Sequence, residues 1–281
     1  MATVSRYSDV EYAFGPQSAT VPDVPEYVKA LWERRQFIDA LARADLRTER
    51  SRAALGNLWA VLNPLFQAGI YFFLYSVLRS GSSQTEFLPV LIADFFLFAL
   101  SMTALSEAGS SIRRGKGLML NSSFPRALLP ITSIYTSLRS FAVAACVLAL
   151  IFPLIGGHVG AGILVLPLLF VIQVAMNVGI ALLVSTYVVL VPDGSNVMQY
   201  VNRVLFFVTP VIYPAALLPG AVEAIIQWQP LFPVFACYQA ILSGGIPDPR
   251  MMAMSALWAA ILLVVGGRVF LKREREFALH L

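Results

Sequence analysis

Charge is scarce in this 281-residue chain. Asp, Glu, Lys and Arg make up 13% of it, about half of the roughly 25% found in average soluble proteins. Hydrophobic residues reach 58%, and the mean hydropathy is +0.74. That balance excludes an ordinary soluble domain and marks an integral membrane protein. The 2 cysteines, Cys146 and Cys237, lie far apart in apolar surroundings. They suggest neither a disulfide framework nor a thiolate metal site. The 2 histidines, His158 and His280, are too few and too separated for a zinc constellation or a Ser/His/Asp set. No metal site and no catalytic residue is therefore assigned. A net charge of +4 in such a chain reports basic cytoplasmic loops rather than a nucleic-acid partner. No apolar run opens the sequence either; the first begins near Leu58. A cleavable signal would start earlier, so the N-terminus is expected to stay in the cytoplasm.

One stretch invites a nucleotide-binding reading: GSSIRRGKG, residues 109–117. A phosphate-binding loop requires G-x-x-x-x-G-K-[ST] after a strand, with the hydroxyl reserved for magnesium. Here five residues separate Gly109 from Gly115, and Gly117 stands in the hydroxyl position. The preceding run, LFALSMTALSEA, is not a β-branched strand. The stretch reads instead as a basic loop after a span.

A membrane-crossing helix needs about 20 mainly apolar residues. Six segments qualify, at 58–78, 87–108, 127–152, 162–191, 197–213 and 251–271. The fold expected is all-α, with six transmembrane helices between 58 and 271. A cytoplasmic segment, 1–57, precedes them, and a short tail, 272–281, follows. Between the fifth and sixth segments the chain stays apolar, but Pro219, Pro230, Pro233 and Gly244-Gly245 interrupt it. Short re-entrant outer helices fit there better than a continuous span. Such backbone is tolerated at membrane depth only inside protein or along a water-filled cavity.

Basic residues orient the chain. Of its 20 Lys and Arg, 16 fall in 1–57, in the loop after the second span and at the C-terminal end. Those regions share one side of a six-span arrangement, so both termini are expected in the cytoplasm. Residues 26–42, EYVKALWERRQFIDALA, form an amphipathic helix carrying Trp32, Arg34 and Arg35. It lies along the membrane interface or packs on a partner subunit.

Ionisable residues within spans are costly and are therefore functional candidates. Asp94, Glu107 and Arg139 are the main ones, with Arg203 near a span. Glu107 reads most simply as a helix-end carboxylate solvated or paired beside Arg113 and Arg114. An Asp94–Arg139 contact would satisfy both residues if their depths match. Aromatic residues crowd three spans: Tyr71, Phe72, Phe73 and Tyr75 in the first, Phe95, Phe96 and Phe98 in the second, and Phe206, Phe207 and Tyr213 in the fifth. They form either a lipid-facing belt or the lining of a pore suited to sugar C–H faces.

Several segments in order carry a resemblance. RADLRTERSRAALGNLWAVLNPL, residues 43–65, resembles the approach to the first span in permeases of polysaccharide-export ABC transporters of the Wzm and TagG type. Arg43, Asp45, Leu46, Leu55, Gly56, Leu58, Trp59, Leu62 and Pro64 match that pattern, with Ala44 inserted. NSSFPRALLP (121–130), FFVTPVIYP (206–214) and QPLFPVFACYQAILSGGIPD (229–248) resemble later family segments. Gln229 replaces the usual Asn, and Gln239 stands where an Arg commonly follows Tyr. The resemblance implies a homodimer that works with two copies of an ATPase subunit. No cofactor would bind this chain, and ATP and Mg would sit on the partner. It also implies a coupling helix in the loop after the second span, with Arg113, Arg114, Lys116, Phe124, Pro125 and Arg126 meeting the ATPase. The simpler role for these charges is to set topology. The implied cargo is a lipid-linked polysaccharide on a polyprenyl diphosphate, galactan or O-antigen or teichoic-acid-like, crossing a bacterial inner (plasma) membrane. A galactan would fit an actinobacterial source. Two other readings stay open: a permease for a drug or small lipid, and a membrane enzyme of glycan assembly.

Overall fold

The structure is a computed structural model and describes residues 24–52, 58–78, 84–121, 124–158, 160–215 and 220–280. Among these residues every regular element is a helix. The expected N-terminal helix divides in two, α1 (Val24–Glu33) and α2 (Arg35–Arg52), which meet at Arg34. The first apolar run becomes α3 (Trp59–Leu78). Its 20 residues extend about 30 Å, the thickness of a bilayer core. The second becomes α4 (Gln84–Arg114), and α5 (Lys116–Asn121) follows after a break at Gly115.

The next two runs give α6 (Leu128–Leu154) and α7 (Leu166–Leu190), the latter entered through a 3-10 turn at Ala161–Val165. Then come α8 (Gly194–Val208), α9 (Gly220–Ile226), α10 (Leu231–Leu242) and α11 (Pro249–Arg273). Among the described residues four helical stretches are long and apolar enough to cross a membrane: Phe87–Arg114, Leu128–Leu154, Ala161–Leu190 and Pro249–Arg273. A helix satisfies its own backbone hydrogen bonds, which is why uninterrupted apolar runs take this form in lipid.

The fifth expected span, 197–213, is not one continuous helix. α8 covers 15 residues, about 22 Å, which is short of a bilayer core. It stops at Thr209 because Pro210 lacks an N–H and disfavours helical backbone in the residue before it. α10 is also too short to span, with 12 residues, yet nine of them are buried. Glycine backbones fix its end. A Cβ on Gly160 would stand 2.0 Å from the Gly244 carbonyl oxygen, and one on Gly162 would stand 2.2 Å from that of Gly245. Gly244 has φ +82, which a side chain would oppose. Pro219, at the start of the interrupted segment, lies outside the described residues.

α7 and α11 form the most extensive helix pair. Their crossing is equally close: a Cβ on Gly179 would lie 2.4 Å from the Leu262 carbonyl carbon, and one on Gly266 would lie 2.3 Å from the Gly179 carbonyl oxygen. α4 runs beside this pair and is largely enclosed by α3, α6, α7 and α10. Tyr27 of α1 contacts both Ala127 and Glu274, so the N-terminal helices, the α4–α6 connection and the C-terminal tail share one end of the bundle. That end holds most of the arginines, and we refer to it as the basic end.

Candidate functional site

The GSSIRR stretch is not a loop. Residues 109–114 are the last turns of α4. Gly109 packs against Val184 and Val188 of α7, where a Cβ would already sit 3.3 Å from the nearest methyl. Ser110 and Ser111 donate to the carbonyls of Glu107 and Ala108, at 3.1 and 2.7 Å. Both hydroxyls are thus satisfied within the helix.

The candidate coupling residues have defined partners. Arg113 donates to the carbonyls of Val188, Val191 and Pro192 at 2.6, 3.2 and 3.4 Å. It caps the C-terminal end of α7, where carbonyls lack helical donors and a positive charge meets the favourable dipole end. Arg114 forms a salt bridge with Glu107 at 2.5 Å, a carboxylate two turns before the end of α4 rather than at a helix end. Lys116 is exposed in the first turn of α5.

Phe124, Pro125 and Arg126 precede α6. The Phe124 ring lies 5.8 Å from that of Phe37 on α2. Arg126 is held by Glu274, just beyond α11. Its backbone N–H donates to Glu274 Oε1 at 2.9 Å, and its guanidinium donates to the Glu274 carbonyl. Tyr27 completes the junction, donating to Glu274 Oε2 at 2.8 Å and accepting from the Ala127 N–H at 3.2 Å. One carboxylate therefore joins α1, the α5–α6 connection and the end of α11. Burial, the largest influence, pushes the Glu274 carboxyl above its usual range, partly opposed by the Arg126 N–H, Tyr27 and the Arg126 charge. Burial first, then the Glu274 charge, raises the Tyr27 phenol.

On the N-terminal helices, Trp32, Arg34 and Arg35 are exposed, and the Arg35 guanidinium stacks 5.5 Å from the Trp32 ring centre. Arg139 of α6 and Asp94 of α4 do not meet. Arg139 instead donates to Asp39 of α2 at 3.0 Å, and Tyr135 donates to the same oxygen at 3.3 Å. The depths explain this. Asp94 lies about 30 Å along α4 from Arg114 at the basic end, whereas α2 brings Asp39 to Arg139 on the basic side.

Asp94 is fully buried and bonds Gln239 of α10. Gln239 Nε2 donates to Asp94 Oδ2 at 2.8 Å and also meets the carbonyls of Pro210 and Tyr213 at 2.6 and 3.1 Å. Its Oε1 accepts from the Ala215 N–H at 2.8 Å. Among the described residues the other Asp94 oxygen has no partner. Gln239 thus ties α4 and α10 to the chain leaving α8. The departure from the resembled pattern at 239 sits at the centre of a polar hub.

The aromatic candidates separate by exposure. Tyr71, Phe95, Phe98 and Phe206 form a stack with centres 5.2–5.7 Å apart, linking α3, α4 and α8. Phe98 continues to Phe235 at 6.0 Å and Phe235 to Tyr238 at 6.1 Å, whose hydroxyl donates to Gln173 at 2.8 Å. Phe95 and Phe98 are buried within the chain. Phe72 is half-buried against the same core. Tyr213 donates to the carbonyls of Phe207 and Val208, both at 3.1 Å, closing the end of α8. The side chain of Tyr75 lies outside the described residues.

Phe207, 59% exposed, belongs to an outward stripe with Tyr200 and Val204 on α8. A matching stripe on α3 carries Phe66, Ile70 and Phe73, the last 70% exposed. Both follow the i, i+4, i+7 spacing of one helix face. Sequence reading missed Phe66, Ile70, Tyr200 and Val204 because aromatic density, not helical phase, set the choice. Among the described residues no three His, Cys, Asp or Glu gather as a metal-holding group.

Comparison with known proteins places this arrangement among transport proteins. The family profile described as "ABC-2 type transporter" matches residues 36–243. The chain is 23% identical over 256 residues to the O-antigen export system permease protein RfbA of Myxococcus xanthus, covering 89% of this chain and 97% of that one. It is 22% identical over 240 residues to the permease of the same name from Klebsiella pneumoniae, covering 85% and 92%. The polysialic acid transport protein KpsM of Escherichia coli is 23% identical over 251 residues, covering 84% and 93%.

Proposed function

The chain belongs to the ABC-2 type transporter family, and we propose that it is the membrane subunit of an ATP-driven exporter of a lipid-linked polysaccharide. It is a transport subunit, not an enzyme. The observation that carries the polysaccharide reading is near full-length similarity to permeases named for O-antigen export and polysialic acid transport. Two outward stripes containing aromatic residues, on α3 and α8, support it. Aromatic faces offer broad contact to sugar C–H surfaces without fixing one register.

In this reading two copies pair around a conduit in the bacterial inner membrane, with both termini in the cytoplasm. Each copy crosses six times, with α9 and α10 as the outer re-entrant part. Two ATPase subunits carry ATP and Mg and dock below the basic end. α5 is the coupling helix. Its motion reaches α2 through Phe124–Phe37, and α1 and α11 through the Glu274 junction. Closure of the ATPases then shifts the spans, a rigid-body class of transition. The anionic diphosphate of a polyprenyl-linked galactan, O-antigen or teichoic-acid-like chain favours the basic side for loading.

Reversing Arg113 or Arg114 would damage α7 capping and the Glu107 pair. Lys116→Glu is the test placed on α5 itself. The chain is purified in mild detergent from its native membrane, and co-purifying proteins are identified by mass spectrometry. A Walker-motif ATPase that accompanies wild type and is depleted with Lys116→Glu supports the reading and the role of α5. A chain that purifies without any ATPase overturns the exporter function.

A further inference from the structure

Arginines at the basic end fall into two groups. Arg113, Arg114 and Arg126 are held by acceptors in the bundle. Arg35 and Arg43 line a groove of about 1070 Å³ between α1, α2 and the start of α6. Arg139 stands beside it, joined to the groove through Asp39. One wall is apolar, from Val28, Leu31, Ile38 and Ile131. Trp32, 70% exposed, forms part of the rim.

The charge in this groove is unbalanced. Among the described residues Asp39 is the only carboxylate lining it, and both Arg43 and Arg139 bond to it. Arg35 stacks on Trp32 and donates to the Trp32 carbonyl at 3.4 Å. Two lining guanidinium groups, with Arg139 beside them, thus outnumber one carboxylate above an apolar trough. That combination matches an anion carrying a hydrocarbon chain. A soluble phosphate would leave the apolar wall wet, and a neutral lipid would leave the excess positive charge unmatched. Cargo is a poor fit for a separate reason. None of the lining residues belongs to α3, α4, α8 or α10, which carry the aromatic stack and the outward stripes.

We propose that the groove holds one anionic phospholipid as a resident ligand, its headgroup phosphate between Arg35 and Arg43 and its upper acyl chains along Leu31, Ile38 and Ile131. The lipid fills the space between the N-terminal helices and α6 and fixes their separation. The proposal needs only a membrane-embedded chain and does not depend on what is exported.

The test is native mass spectrometry of the detergent-purified full chain, titrated with phosphatidylglycerol or phosphatidylcholine. Wild type should keep a single saturable phosphatidylglycerol adduct and prefer it to phosphatidylcholine. Arg35→Gln and Arg43→Gln should each weaken retention about fivefold, as expected for one basic residue at an anionic lipid surface. Arg273→Gln, which removes a charge at the same end outside the groove, should leave retention unchanged. Ile131→Trp keeps every charge and obstructs the trough, so it should also lose the adduct. It covers the case in which an arginine variant fails to fold. Equal retention of the two lipids overturns the proposal, as does equal loss in Arg273→Gln. Displacement of phosphatidylglycerol by a polyprenyl phosphate would make the groove a cargo site and overturn it too.

Discussion

Glu274 touches three segments that sequence order keeps far apart, and its removal has a calculable cost. Glu274→Ala leaves the Tyr27 hydroxyl and the Arg126 N–H without their acceptor in a part-buried place. Stranding such groups costs about 1–3 kcal/mol, read as a lower midpoint in thermal unfolding of the detergent-solubilised chain. Glu274→Gln keeps the shape and one carbonyl acceptor, and Tyr27 can accept from the new amide, so it should cost less. The pH dependence follows from the raised carboxyl. A group raised on folding contributes stability that is full below its unfolded value, about 4.3, and is lost as pH rises through its folded value. Wild type should therefore gain stability as pH falls from neutral toward that value, and Glu274→Gln should flatten part of that slope. An unchanged slope would mean that folding does not raise the Glu274 carboxyl.

Gln239 poses the same question in the apolar interior. Gln239→Leu preserves bulk but deprives Asp94 Oδ2 of its Gln239 donor and the Ala215 N–H of its acceptor. A buried network missing its centre is worse than an apolar substitute for the whole. The variant should lose about 2–6 kcal/mol, the stranded-group cost of two partners. The paired change Gln239→Leu with Asp94→Leu should recover part of that loss in the same unfolding assay. Sequence reading located Asp94 as a costly intramembrane acid and offered Arg139 as a partner only if their depths matched, which they do not. Residue type showed that a partner was needed, but only depth could show which one.

Helices were the most legible elements, because a long apolar run has one good solution in lipid. α3, α6, α7 and α11 fall within a few residues of the expected runs. The misreadings share a cause. Gly109-Ser110-Ser111 looks like a polar loop, yet in α4 its small side chains let the helix press against Val184 and Val188. Phe207-Val208-Thr209-Pro210 looks like continuing span, yet Pro210 ends α8. Helix–helix contact decides the first case and backbone chemistry the second, and hydropathy measures neither. The α7–α11 crossing extends the lesson. Gly179→Ala would drive a methyl into the Leu262 backbone, which cannot move aside as a side chain can. Overpacking of this kind costs about 1–3 kcal/mol. Gly267→Ala, one residue from Gly266, meets nothing within 4 Å and should match wild type or gain slightly from helix propensity. Equal unfolding midpoints for the Gly179 and Gly267 variants would refute the close crossing.

Taken as one molecule, the chain keeps its densest aromatic packing inside and still leaves two aromatic-bearing stripes outside. Phe66, Ile70 and Phe73 on α3 and Tyr200, Val204 and Phe207 on α8 could face lipid or a conduit shared with a second copy. Lipid contact and sugar contact make different demands. In lipid, alanine loses little beyond dispersion contacts, because hydrocarbon refills the space on either side. Along a glycan path the flat rings themselves make the sliding surface, and alanine removes it. We therefore expect Phe73→Ala with Phe207→Ala to lower surface polysaccharide several-fold in cells, while the chain still accumulates in the membrane and still recovers its ATPase partner. Phe170→Ala is the control: its ring packs 5.7 Å from Phe141, away from both stripes, and export should persist. Undiminished export in the double variant would assign the stripes to lipid and move the conduit to another face. Lost ATPase recovery in the double variant would place the stripes in assembly instead of transport, since their only route to the basic end is through the helices that carry them.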